Sequence, residues 1–272
     1  MDGAQPGGGS PRGRVRPARR PGSAAVTTVR FGLLLSLIGL WQAGYETGRV
    51  DAFSFSAPSL IWDRLVKLFR SGTIWPHMAA TAREAVIGLA MGFVVGVVLG
   101  FIAGLNDFVG RVLEPVMLLL NSIPRIVLAP MFILWFGIGE NSKIASAFFL
   151  VFVVIFFAVA TGLREVPGQL VAQVRVLGGG RWALIRHVYV PSVLTWVFSS
   201  LRITVGFAFT GAVVAEVISS TKGLGYLLNQ AQSSFDSSLL MATVVVIMAM
   251  IMVLFAVLGR IEARLTRWKN SA

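Results

Sequence analysis

The side chains in this sequence that can do chemistry are few, and most are charges set in apolar surroundings. Arg125 follows Asn121, Ser122 and Pro124 within an otherwise hydrophobic stretch. Arg202 and Glu216 share another such stretch; on one helix they stand about 21 Å apart along the axis and about 40° apart around it. An ionised group inside a bilayer is costly, so each is a candidate for function by default. Asn121, Ser122 and Arg125 bring donors to a backbone break, which suits a pathway that holds a polar or anionic solute. Arg202 lies near the start of its stretch and better suits an arginine that snorkels to the interface or forms an internal ion pair. Glu216 suits either a gate contact or a structural acceptor. Catalysis has little to work with. The chain has no cysteine, which excludes thiolate nucleophiles, disulfides and thiolate metal sites. His77 and His187 are the only histidines, too few for the usual histidine metal cluster.

The elements that must position these residues are apolar spans. Of 272 residues 56% are hydrophobic and only 13% charged, about half the charged share of a soluble domain. Mean hydropathy is +0.78. The fold class this predicts is an all-α integral membrane protein with about six transmembrane helices. Residues 1–28, rich in Gly, Pro, Ser and Arg, read as a disordered basic tail, and residues 269–272 as a short C-terminal one. Between them, 29–268 form the transmembrane domain. The first span is expected over about Val26–Ala43, uncleaved. A polar connection follows, and from Pro58 to Arg70 it carries a helical apolar stripe, either at the membrane surface or packed on the spans. The second span, about Ala82–Leu105, has glycine at 88, 92, 96, 100 and 104. That four-residue rhythm predicts one face of small residues against which another helix packs closely. The third, about Val112–Phe136, is interrupted by Pro115, Pro124 and Pro130, each expected to bend or break it. The fourth covers Ile144–Leu163, the fifth starts at Pro191 and runs to about Ile218, and the sixth is about Leu239–Leu258.

Charge sets the orientation. The formal net charge is +12; in a membrane protein such a balance reports orientation and anionic headgroups before nucleic acid. Six spans put the tail, the 105–112 turn, the 164–191 loop and the C-terminus on one side. Those segments, with Arg30 beside the tail, hold fifteen of the 24 Lys and Arg, against seven in the opposite loops with the adjoining Arg83. The positive-inside rule places both termini and the long loop in the cytoplasm.

That loop is too long and too patterned for an ordinary connection. Pro167 opens a short helix with Leu170, Val174 and Leu177 on one face. Gly178-Gly179-Gly180 breaks it. A second short helix presents Leu184, Ile185 and Val188, and Pro191 is expected to end it and launch the next span. The product is a helix-turn-helix of a kind that docks in the groove of a soluble partner.

On these residues the chain resembles the permease subunits of bacterial ABC importers. Their cytoplasmic loop reads EAA, three residues, Gly, nine residues, Ile-x-Leu-Pro. Here Gly178 and Pro191 stand at that spacing, with Val188 and Val190 as the aliphatic pair; the EAA triplet falls on Ala172, Gln173 and Val174 and is not kept. Ser122-Ile123-Pro124, Ala129-Pro130-Met131, Trp135-Phe136-Gly137-Ile138-Gly139, Leu201-Arg202, Ala215-Glu216 and Gly223-Leu224-Gly225-Tyr226-Leu227 are similar to the sulfonate, taurine and nitrate branch. The resemblance covers about residues 30–268. It implies a subunit of the bacterial plasma membrane whose coupling loop (Ala172, Gln173, Val174, Gly178, Val188, Val190, Pro191) meets two ATPase subunits. It also implies a second permease copy, in a homodimer, and an extracytoplasmic solute-binding protein. The chain has no Gly-x-x-x-x-Gly-Lys-Ser/Thr, so ATP and its Mg²⁺ belong to the partner ATPase, and no cofactor is expected in this chain. The expected solute is a small anion such as a sulfonate, taurine or nitrate, with a vitamin precursor or aromatic acid as the alternative. An ion-coupled secondary transporter, the competing class, would show repeated spans and paired intramembrane carboxylates.

Overall fold

The computed structural model describes the backbone of residues 23–265, with side chains from 27 to 260. Within that range the chain is helical throughout its regular structure. Residues 1–22 of the basic tail and 266–272 lie outside it.

Helix α1 (Ser23–Glu46) leads through a single turn, α2 (Ala52–Phe55), to the expected amphipathic helix α3 (Pro58–Arg70). Proline at its start fits the first helical turn, where no backbone donor is missed. Its stripe packs inward: Leu65 and Leu68 join Ile74, Leu224, Leu227 and Val246, while Arg64 reaches Asp236 at 2.6 Å. Trp62 and Phe69, beside this stripe, stay exposed.

The core is built by α4 (Ile74–Leu105), α7 (Glu140–Arg164) and α10 (Val190–Ile218). The glycine rhythm of α4 does what its spacing predicts. Gly88 faces Ala147, Gly92 faces Val151, Gly96 faces Ile155, Gly100 faces Val159 and Gly104 faces Leu163. Two four-residue periods therefore interlock along the whole contact. A Cβ on any of these glycines would come within 2.4–2.8 Å of α7, so the helices approach to a separation that only hydrogen at Cα allows. On the far side of α7, Gly211 of α10 admits the backbone at Ala147 in the same way.

The expected third span is two helices, α5 (Asp107–Ser122) and α6 (Arg125–Phe136), bent by 100° to one another. Of its three prolines only Pro124 breaks the chain. Pro115 and Pro130 sit inside their helices, each costing one backbone bond without ending the helix. Helix α11 (Leu224–Ser233) folds back against α10, and α12 (Ser237–Leu265) closes the chain. Among the described residues four helices are long and apolar enough to cross a membrane, or five if the bent pair counts as one. The expected count was about six. Helix α1 covers the predicted first span, with Arg30 its one charge between Val26 and Ala43.

Candidate functional site

Three features stand out: an exposed loop at one end of the bundle, a cationic break in its side, and a buried carboxylate at the opposite end.

The loop begins where α7 ends. Arg164, in the last turn of α7, donates two hydrogen bonds to the Glu114 carboxylate of α5, at 2.9 and 2.7 Å. The two-point pairing fixes the base of the loop to the broken span. Burial-blind sequence reading gave no reason to join residues fifty positions apart. Pro167 caps α8 (Gly168–Val176). The helix is then stopped by a Schellman turn: Gly179 N–H donates to the Val174 carbonyl at 2.8 Å and Gly178 N–H to that of Arg175 at 3.0 Å. This geometry puts Gly178 at φ +78°, with open space around it, so its requirement is one of backbone conformation alone. Gly179 has the opposite need, because a Cβ there would lie 2.5 Å from Val174 Cγ1.

The turn thrusts apolar side chains into the open. Val176 is 86% exposed, Leu177 85% and Trp182 73%. Ala172 and Gln173 are exposed as well, while Val174 is half-buried by the turn itself. The second arm differs from expectation. Helix α9 (Arg181–Leu184) runs through a π turn, Ile185–Tyr189, straight into α10. Val190 N–H bonds five residues back to the Ile185 carbonyl. That shift of register absorbs the donor missing at Pro191, so the proline lies in the first turn of α10 and does not end a separate helix. Leu184 and Val188 are buried and Val190 is half-buried. This arm is anchored to the bundle, and α8 with its turn is the part free to meet a partner.

At the break, Arg125 follows Pro124 and lays its guanidinium over the Phe207 ring, 3.8 Å from the centroid. Asn121, Ser122 and Arg125 are all exposed. Asn121, Phe149 and Phe207 meet Arg125 around one small cavity, and Ser146 and Thr210 meet it around another. Their volumes, about 20 and 10 Å³, leave room for about one water each. Arg202 lies exposed on α10, and neither it nor Glu216 lines these cavities.

Glu216 is instead 1% exposed, at the end of α10 away from the loop. Thr81 of α4 donates to its carboxylate at 2.7 Å, and Gly225 N–H donates to it at 2.7 Å. Leu224 N–H donates to Thr81 Oγ1 at 2.8 Å. Gly223 passes over the carboxylate at φ +118°, where a Cβ would stand 2.0 Å from Oε1. His77 accepts from Gly223 N–H and stacks on Tyr226. The sequence Gly-Leu-Gly-Tyr is thus a backbone clamp closed on one carboxylate, tying α10 and α11 to α4. Buried Glu84 and Lys143 adjoin Glu216. Of this cluster the sequence named Glu216 as a candidate and the Gly223–Leu227 motif by resemblance, but not Thr81, Glu84 or Lys143; a polar glycine loop seven residues beyond an intramembrane acid was the signal that could have joined them. Gly223→Ala is expected to lower the unfolding temperature of the purified protein by about 5 °C or more. Glu216→Ala, which strands the buried Gly225 N–H, should do the same. Unchanged melting curves for both would show that the clamp carries no stability.

The profile of the family described as binding-protein-dependent transport system inner membrane component matches residues 96–270. The riboflavin transport system permease protein of Chloroflexus aurantiacus is 34% identical over 238 residues, 88% of this chain and 89% of its own. The taurine transport system permease protein of Escherichia coli is 26% identical over 246 residues, 89% of this chain and 90% of its own. A chain of the MetNI methionine ABC transporter in an inward-facing conformation superposes with a TM-score of 0.62 at 20% identity, covering 71% of this chain and 94% of that one. That likeness is one of fold.

Proposed function

The chain belongs to the family of inner-membrane components of binding-protein-dependent transport systems, and from that premise we propose that it carries a small organic anion inward past Arg125. It is a multi-pass permease subunit of an ABC importer, a transport subunit and not an enzyme. The finer reading has three parts. Two separate ATPase subunits, holding ATP and Mg²⁺, receive α8 and its turn on the cytoplasmic side, where both termini also lie. A second copy of the chain completes the pathway as a homodimer. An extracytoplasmic binding protein delivers the solute.

The observation that carries the choice of solute is Arg125. It is the exposed cation at the 100° break, flanked by the exposed amide of Asn121 and the hydroxyl of Ser122, with Thr210 on the facing helix. A guanidinium offers paired donors to a sulfonate or carboxylate. The taurine-transport relative supports the same class. Uptake of radiolabelled taurine or an alkanesulfonate by cells carrying the complete importer is expected to fall roughly tenfold or more in Arg125→Ala, with partial recovery in Arg125→Lys. Transport of a neutral or cationic solute, indifferent to Arg125→Ala, contradicts it. A second reading, a heterocyclic vitamin or precursor, is favoured by the riboflavin-transport relative and by the rings of Phe149 and Phe207 beside Arg125, on which such a solute would stack. Competition by riboflavin against the labelled sulfonate separates the two.

A further inference from the structure

A cavity with a polar lining lies apart from the break, the clamp and the exposed apolar tip. It occupies about 520 Å³ between the base of the 164–191 loop and the turn joining α4 to α5. Arg175, Arg181, Asn106 and Tyr189 line it, with Leu105 and Leu184 on its apolar side. Its polar groups are almost all donors. Arg175 and Arg181 make no hydrogen bond or ion pair among the described residues, and no carboxylate is in the lining. Asn106 spends its carbonyl oxygen capping α5, accepting from Phe108 N–H at 3.0 Å and Val109 N–H at 3.3 Å. Its amide N–H groups are left over. Two guanidinium side chains and an amide share this lining, and among its side chains the Tyr189 hydroxyl is the one acceptor left over. A ligand suited to that set supplies several acceptor oxygens and negative charge.

We propose that this cavity binds a phosphate-bearing anion between Arg175, Arg181 and Asn106, at the point where the ATPase-coupling loop joins the spans. The proposal rests on the cytoplasmic placement of the 164–191 loop under Proposed function. On that side the ends of the spans lie level with anionic lipid headgroups, and the Leu105 and Leu184 wall suits the glycerol end of a lipid diester. A soluble phosphate presents the same oxygens without needing that wall. In either case the ligand bridges α8 and α9 to the α4–α5 turn and stiffens the loop against the bundle.

The test uses the full-length permease in mixed micelles, with native mass spectrometry reading retained phosphatidylglycerol against phosphatidylcholine. The unsubstituted protein is expected to retain phosphatidylglycerol preferentially, and Arg175→Gln with Arg181→Gln to reduce that preference roughly tenfold. Both arginines are exposed, so the fold survives the change; Arg186→Gln, exposed and outside the cavity, is the control expected to match the unsubstituted protein. Displacement of the lipid by inorganic phosphate identifies a site for free phosphate, and failure to displace it identifies a lipid site. Equal retention in the double variant, with no effect of inorganic phosphate, overturns the proposal. The orientation beneath it is read separately: Gln169→Cys, the only cysteine in the chain, should resist a membrane-impermeant maleimide added to intact cells. Labelling from outside overturns the placement of the loop and the site with it.

Discussion

An importer assembled with the Val176→Asp, Leu177→Asp permease is expected to lose nearly all solute-stimulated ATP hydrolysis, while the permease is made and inserted at its normal level. The two side chains are the most exposed apolar groups of the loop and pack on nothing in their own bundle, so their loss costs the isolated subunit little. Burying them in a groove of the ATPase would contribute about 3–6 kcal/mol together, or roughly two to four powers of ten in affinity. Aspartate forfeits that burial and adds a desolvation cost. Gly178→Val should act through the same interface by a different cause. A β-branched residue at φ +78° is strained by about 1–3 kcal/mol, and relief of that strain re-aims the tip. The double substitution should therefore exceed Gly178→Val in effect, and an importer hydrolysing ATP normally with either would remove the turn from the coupling interface.

The second large effect belongs to the interlocked helices. Gly96→Leu is expected to leave little correctly folded permease, seen as loss of the monodisperse peak on size exclusion in detergent. A Cβ at Gly96 would stand 2.8 Å from Ile155 Cβ and 2.8 Å from the Phe152 carbonyl oxygen. Both are fixed to the α7 backbone, so no side-chain rotation relieves the contact. Overpacking of this kind costs on the order of 3 kcal/mol, and α4 cannot yield at one turn without unseating Gly92 and Gly100 from Val151 and Val159. Gly39→Leu, where nothing lies within 4 Å of the added Cβ, should elute normally. A normal peak for Gly96→Leu would mean that α4 and α7 do not pack as described.

What could be read from the sequence follows the range of the interactions involved. The α4 rhythm is a local period, and four-residue spacing fixes a helix face without knowledge of the partner. The turn at Gly178 was legible for the same reason, since three glycines at the end of an apolar stripe stop a helix wherever it lies. The role of Pro191 was not, because the π turn that accommodates it depends on Leu184 and Val188 being buried on the bundle. The clamp on Glu216 was hidden more deeply. Its donors come from Thr81, 135 residues earlier, and from a loop whose glycines are explained only by the carboxylate beneath them. At the break, Pro124 gave the place, but neither the 100° bend nor the Phe207 ring under Arg125 is encoded in local spacing.

The most direct measurement on the central claim is a photo-crosslink from position 177. With a benzophenone amino acid replacing Leu177 in the assembled importer, illumination is predicted to join the permease to the ATPase subunit in high yield, and the same probe at exposed Phe108 of the α5 turn to give much less of that product. Crosslinks from position 177 only to lipid or to another permease chain would contradict the assignment of α8 and its turn as the element through which the importer is driven.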